Sequence, residues 1–500
     1  MSLKKNIIVS YISQIYVAII GILMVPVYIS YMGAEIYGLI GFFAMLQMWF
    51  QLLDMGLTPT MARETAKFRG GGVEKRKIWA LLRTLEVVFL FIGLVGFFLV
   101  YLFSDFISSK WLKINSLNVY DVNEAIVLMG GAIVFRWMSG LYKGVVSGFE
   151  KISWLGWFNI LIASLKFVAV LPVILLLGGS PFIFFSYQLI IAFIEMLFLL
   201  FKSYREMPKR NCEKRFFFDV SSLRDVVRFS SSIAFTSSVW IIITQSDKLI
   251  LSKVLTLSDY GVFTVAVLAA SGVLVASTPV SSVLMSRLTV LATQSKEDEF
   301  LSVYRKMTQL VCVGALSIAV VLTIFSKQVL LAWTGDKNIA ENAYQVLSLY
   351  ALGNGILALT AFPYYLQYAK GDLKLHLLGN VIFVSFLIPL IIAFSYYFGA
   401  IGAGWVWCLS NLIYFLFWVP KVHHKFFKNL HANWILIDIL PILAGSSSVA
   451  LFIFYFMRFS EGRWYLIFEL FIIGISVLVV SVISSAYFIA KIGNILCLKK

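Results

Sequence analysis

The sequence predicts an all-α polytopic membrane protein of about fourteen transmembrane helices, arranged as two parallel six-helix lobes plus two C-terminal helices. Three observations lead there: an apolar composition, the length and number of the apolar runs, and a weak internal repeat. Of the 500 residues, 60% are hydrophobic and 13% charged, and the mean hydropathy is +0.90. A chain this apolar cannot build a water-soluble surface. In lipid every backbone N–H and C=O must be bonded internally, so each crossing needs roughly 20 apolar residues in a helix.

Runs of that length occur at 7–30, 36–57, 78–103, 122–146, 154–177 and 181–201, before a long basic segment. Six more follow at 229–251, 260–284, 307–325, 342–365, 377–398 and 400–419, and a last pair at 435–457 and 464–489. The implied division is 1–215, 216–430 and 431–500. Lys4 and Lys5 precede a first run too long for a signal-peptide core, with no small-residue cleavage site, so it reads as a retained helix.

The formal charge of +16 does not form one patch, and no nucleic-acid partner is expected. Most of the 41 Lys and Arg residues fall in alternate loops. With a cytoplasmic N-terminus the outside segments hold only Lys110, Lys113, Lys253, Lys327, Lys337, Arg458 and Arg463. That asymmetry predicts an even number of crossings with both termini in the cytoplasm. Cys212, Cys312, Cys408 and Cys497 are scattered and imply neither a disulfide framework nor a metal site. No cofactor is expected.

The repeat has a spacing of about 222 residues. Glu35-Ile36-Tyr37-Gly38 resembles Ser258-Asp259-Tyr260-Gly261. Phe103-Ser104 with Trp111 matches Phe325-Ser326 with Trp333, Asn159 matches Asn380, and Gly178 matches Gly399. Each pair lies at the equivalent place of a predicted span, which is the pattern of two parallel halves.

A phosphate-binding loop, an HExxH motif and a nucleophile elbow are all missing, and no loop exceeds roughly 30 residues. These absences point away from a single-chain ATP-driven pump and from catalysis. Charges inside the spans become the informative residues, because each costs a few kcal/mol in lipid unless it meets a partner or a wet cavity. Arg136 and Lys166 lie deepest, about 15 Å or more of helical rise from the nearer span end, beyond easy snorkelling. They are candidates for binding an anionic group, with Arg83 and Lys248 as further cations of the same cavity. Glu86, Glu195 and Asp247 are candidates for ion coupling or gating.

Plainer readings stand beside these. Arg83 precedes Glu86 by three residues and can form a helix-surface pair, and its repeat counterpart Arg305 also starts a helix. Lys143 near a helix end can snorkel, and Glu195 can serve as a structural partner for Arg136 and Lys166. Asp247 and Lys248 point about 100° apart on a helix and need not pair. Trp137, Tyr142, Trp154, Trp157, Tyr187 and Trp240 can stack on sugar rings or belong to packing and the interfacial belt. His376, His423, His424 and His431 all fall in basic segments, which argues against a proton relay through them.

Leu53-Asp54-Met55-Gly56-Leu57 followed by Arg63, and Gln245-Ser246-Asp247-Lys248 followed by Tyr260-Gly261, resemble the polysaccharide-exporter branch of the multidrug/oligosaccharidyl-lipid/polysaccharide superfamily. The resemblance is to O-antigen flippases of the Wzx type and covers nearly the whole chain. It implies alternating access across the bacterial inner membrane, with two six-helix lobes around a cationic cavity and undecaprenyl-diphosphate oligosaccharide as substrate. It also implies ion coupling, a tail-side groove at the last two helices, and a polysaccharide polymerase and chain-length regulator as candidate partners. Asp54, Gly56, Arg63 and Gly261 are the motif residues expected to be structural. Lipid II flippases of the same superfamily carry charges in the first helix, whereas 7–30 has none. Two rival readings remain: a drug or metabolite cation antiporter of the superfamily, and a polysaccharide polymerase or ligase.

Overall fold

The computed structural model describes residues 3–209, 220–460 and 462–488. The 215/216 boundary, Cys212, Cys497, Arg210, Lys214, Arg215, Lys491, Lys499 and Lys500 lie outside the described residues. Every extended element among the described residues is a helix, as the composition requires; an isolated bridge joins Lys113 and Thr256. Contacts divide the chain into two units, Met1–Gly261 and Val262–Lys500.

The first unit contains α1 (Leu3–Phe50), α2 (Leu57–Arg69), α3 (Lys75–Phe106), α4 (Val119–Gly148), α5 (Ile152–Ala163), α6 (Val170–Leu177), α7 (Pro181–Glu206) and α8 (Val220–Val254). α1 belongs to an apolar stretch of 47 residues, Ile8–Asp54. At about 1.5 Å per residue such a helix would be roughly twice the thickness of a bilayer core. It breaks at Gly33, whose φ of +83° and ψ of 166° only glycine adopts without strain, and the two predicted spans lie on either side.

The second predicted span ends earlier than expected. α1 stops at Phe50, a tight turn occupies Gln51–Asp54, and Met55 and Gly56 both take left-handed conformations before the short amphipathic α2. α2 lies close on α4 because Gly140, Gly144 and Gly148 repeat every four residues along the facing side. A Cβ on Gly144 would sit 2.8 Å from the Thr58 carbonyl oxygen, and one on Gly148 2.5 Å from that of Ala62. This is the small-residue stripe that lets helix backbones approach within lipid. The repeated motif uses the same device: a Cβ on Gly261 would collide with the Ala34 carbonyl oxygen, and one on Gly38 with that of Leu257. The segment after α3 docks nearby, with Trp111 Nε1 donating to Ser252 Oγ at 3.0 Å and Leu257 N to the Lys113 carbonyl at 2.8 Å.

The division between the units falls within α9 (Leu257–Thr293). The second unit continues with α10 (Glu297–Val311), α11 (Ser317–Ile324), α12 (Ser326–Thr334), α13 (Lys337–Lys370), α14 (Lys374–Ile413), α15 (Val419–Phe426), α16 (Leu430–Asn433), α17 (Leu440–Phe456) and α18 (Arg463–Ile483). Gly399, at φ +59°, breaks α14, and its repeat counterpart Gly178, at φ +98°, ends α6. A buried polar knot ties the last helices to α10. Arg305 Nε donates to Asp438 Oδ2 at 2.7 Å, and Gln309 Nε2 donates to Asp438 Oδ1 at 2.6 Å. Gln309 Oε1 accepts from Ser485 Oγ at 2.7 Å, so Arg305 is bound into packing rather than left for a ligand. His423 is likewise held inside, between Tyr304 Oη at 2.8 Å and His431 Nδ1 at 3.1 Å.

Eleven of the described helices are long and apolar enough to cross a membrane, against fourteen predicted. Two of the eleven, Ile8–Asp54 and Lys374–Phe426, each carry a pair of predicted spans in one kinked helix. The segment predicted at 229–251 lies in α8, which is not among the eleven.

The glycine stripe makes a direct test. Gly148→Leu is expected to cost roughly 1–3 kcal/mol by overpacking, read as a lower melting temperature in detergent. Gly474→Ala is the control, since a Cβ there meets nothing within 4 Å. Equal melting of both variants and the parent would contradict the packing described.

Candidate functional site

Two parallel rows of polar side chains face each other inside the first unit. Arg136 and Lys143 are seven residues apart on α4, hence on one face, and Gln188 and Glu195 have the same spacing on α7. The rows match rung for rung. Arg136 Nη2 donates to Gln188 Oε1 at 2.5 Å, and Lys143 Nζ donates to Glu195 Oε1 at 2.7 Å. α1 completes the guanidinium's surroundings: Arg136 Nη1 donates to Gln47 Oε1 at 3.0 Å, and Arg136 Cζ lies over the Phe43 ring, 4.9 Å from its centre. Arg136 Nε has no hydrogen-bond partner among the described residues.

Lys166 arrives from a third direction. The helix between α5 and α6 widens into a π-helical turn at Ser164–Val168, an irregularity that needs outside partners for its carbonyls. They are present. Tyr187 Oη donates to the Leu165 carbonyl at 2.8 Å, Gln188 Nε2 to that of Lys166 at 3.0 Å, and Tyr28 Oη to that of Phe167 at 2.7 Å. So held, Lys166 places Nζ 2.7 Å from Glu195 Oε2, an ion contact off the direction a hydrogen bond requires.

Glu195, 2% exposed, therefore sits between two ammonium groups, one on each oxygen. Removing one partner of a buried ion pair typically costs about 3–5 kcal/mol, because the charge left behind has neither water nor counter-ion. Three cations against one carboxylate leave an excess of positive charge. That excess borders open space. A cavity of about 560 Å³ is lined by Gln47, Arg136, Lys143, Lys166, Gln188 and Glu195 among others. A second, of about 400 Å³, shares Gln47, Arg136, Lys143, Lys166 and Glu195 and adds Gln51, Asp54, Thr58 and Trp137.

The remaining sequence candidates fall elsewhere. Arg83 pairs with Glu86 at 3.0 Å; Glu86 Oε1 also accepts from Tyr204 Oη at 2.8 Å and Tyr142 Oη at 3.2 Å, and neither Arg83 nor Glu86 lines these two cavities. Asp247 and Lys248 do approach one another, at 3.3 Å, although Lys248 Nζ donates more closely to the Thr244 carbonyl at 2.6 Å. Neither borders the two cavities. Asp54 closes the turn before α2, accepting from Thr58 N at 3.3 Å and Thr58 Oγ1 at 2.5 Å, and with Gly56 it forms part of the second cavity's wall. Arg63 is half-exposed, with Glu64 at 3.8 Å, and Gly261 serves close packing.

Three participants escaped the sequence reading. Lys143 was expected to snorkel, but its ammonium turns inward to Glu195. Gln47 and Gln188 carry no formal charge, although an amide within an apolar run is itself a signal. The buried Asp438 in the second unit was also overlooked. Among the described residues no cluster of His, Cys, Asp and Glu suits a metal ion.

The family profile described as "Polysaccharide biosynthesis protein" matches residues 3–287, more than half of the chain. No curated protein matches the sequence significantly. Among solved structures, the lipid II flippase MurJ in an inward closed conformation superposes with a TM-score of 0.73 at 16% identity, covering 95% of this chain and 98% of that one. An inward-facing multidrug resistance transporter of the MATE family, in the MOP superfamily, gives 0.66 at 14% identity, covering 80% and 93%. A MOP superfamily transporter from Pyrococcus furiosus, whose binding pocket has reverse polarity, gives 0.57 at 12% identity, covering 84% and 95%. At these identities the likeness is one of fold.

Gln188 supports both the guanidinium and the π-helical turn, so Gln188→Leu is expected to destabilise by about 1–3 kcal/mol through stranded buried polar groups. Thermal melting in detergent checks this. A variant as stable as the parent would show that these hydrogen bonds do not hold the site.

Proposed function

The chain belongs to the polysaccharide biosynthesis protein family, and from that premise we propose that it is a flippase for a lipid-linked oligosaccharide. The substrate of this reading is an undecaprenyl-diphosphate oligosaccharide, an O-antigen unit or a related polysaccharide repeat. Alternating access carries its headgroup across the bacterial inner membrane, and both termini of the protein are cytoplasmic. The observation that carries the reading is the cationic wall of Arg136, Lys143 and Lys166, set in the apolar helices with one carboxylate among them and a cavity in front.

Such a wall suits a diphosphate. Charge attraction is weakly screened in a low-dielectric cavity, and a guanidinium presents a rigid fork of donors to phosphate oxygens. The hydroxyl and amide groups of Thr58 and Gln51 in the adjoining cavity supply the kind of polar surface that sugars use, while Trp137 is packed against Phe89. The polyprenyl chain needs no pocket in this reading, because lipid is its solvent. A drug antiporter for organic cations fits less well, since the excess charge repels such substrates. A polymerase or ligase fits less well, since Glu195 is engaged by two ammonium groups and Asp54 closes the turn before α2.

Alanine at Arg136 and at Lys166 is expected to reduce surface glycan severely while the protein stays inserted, with Arg136→Lys the milder change because it keeps the charge but not the fork. Glycan display and membrane fractions of complemented deletion strains measure this. Normal display in an expressed Arg136→Ala/Lys166→Ala double variant would remove the cavity from the mechanism, and a deletion strain that accumulates no lipid-linked glycan would remove the substrate class.

A further inference from the structure

Among the described residues that line the larger cavity Glu195 is the one carboxylate, and its position invites a role beyond structural pairing. Each of its oxygens meets an ammonium at 2.7 Å, and both ammoniums belong to the cavity wall. The carboxylate side chain is 3% exposed, whereas Lys143 and Lys166 are 37% and 18% exposed. The lysines therefore present more of their surface than Glu195, which lies deeper. An ammonium has three donors, and each of these two ammoniums contacts Glu195 alone among the described residues, so both keep unused donors, as Arg136 does at Nε.

Resting on the flippase reading above, we propose that Glu195 is a built-in substitute anion, which neutralises Lys143 and Lys166 when the cavity is empty and yields them to the diphosphate when substrate binds. A carrier must return through its cycle with the cavity unloaded. Several unbalanced cations in a low-dielectric site make that return unfavourable. An internal carboxylate lowers the excess charge of the empty site from three to two and pairs two of its cations, at the cost of competing with the ligand. The competition also aids release, because the carboxylate reclaims the lysines as the phosphates leave.

A static counter-ion differs from a substitute in a measurable way. The parent and a Glu195→Gln/Gln14→Glu double variant carry the same net charge on the cavity wall and the same three cations, but only the parent holds a carboxylate against both lysines. Inorganic pyrophosphate, titrated into the purified full-length protein in lipid nanodiscs and followed by calorimetry, is the probe. Glu195→Gln and the double variant are both expected to bind it about tenfold more tightly than the parent, while Glu195→Gln flips lipid-linked glycan more slowly in vesicles. Tightening in Glu195→Gln with parental affinity in the double variant would overturn the proposal, since net charge alone would then explain the gain. Where Glu195→Gln fails to fold, the charge-balanced double variant decides by itself. If Arg136→Ala/Lys166→Ala binds pyrophosphate like the parent, the cationic cavity fails as the anion site and the flippase reading falls with it. If that variant loses binding and removal of Glu195 changes nothing, only the substitute-anion proposal is overturned.

Discussion

The ion contact of one buried carboxylate with two ammonium groups is the interaction on which the first unit's interior depends. Hydrocarbon does not tolerate isolated charge, and the surrounding helices are positioned so that none is isolated. α4 supplies Arg136 and Lys143, α7 supplies Gln188 and Glu195, and the π-helical turn supplies Lys166. Glu195 satisfies the lysines directly, whereas Arg136 is met by two neutral amides and a ring face. The guanidinium thus has no carboxylate hydrogen-bonded to it among the described residues and stands beside an open cavity.

The scaffold around that contact follows from backbone chemistry in lipid. Helices are kinked where a glycine with positive φ permits it, and they approach closely where glycines repeat every four residues. The turn at Asp54, Met55 and Gly56 belongs to this scaffold and to the cavity wall at once. A short segment that resembles a family motif thereby acquires a physical reason: it reverses the chain beside the charged rungs and sets α2 against α4. In the second unit the comparable polar investment is closed on itself. Asp438 is enclosed by Arg305 and Gln309, which fastens the last helices rather than opening a site.

Much of this was legible in the sequence, for identifiable reasons. Apolar run length located each of the eleven described helices that are long and apolar enough to cross a membrane, because the bilayer sets that length. Arg136 and Lys166 stood out since a charge so far from a helix end has few inexpensive explanations. Lys143 did not, because its distance from the helix end allowed snorkelling, and only the match of α4 with α7 shows where its ammonium goes. Gln47 and Gln188 carry no formal charge, so a search for charges passes over them. The π-helical turn leaves no periodic signature, and its stabilising donors, Tyr28, Tyr187 and Gln188, are distant in sequence. α2 was hidden because an amphipathic helix of thirteen residues is too short and polar to register as a crossing.

The central claim is that the positive wall around Arg136 and Lys166 holds the anionic headgroup of a lipid-linked glycan. Native mass spectrometry of protein purified from membranes that contain the lipid-linked repeat tests this most directly. The parent is expected to carry a bound species with the mass of a polyprenyl-diphosphate oligosaccharide, absent from an equally folded Arg136→Ala/Lys166→Ala variant. Equal occupancy in the two, or a parent that retains only organic cations, would contradict it.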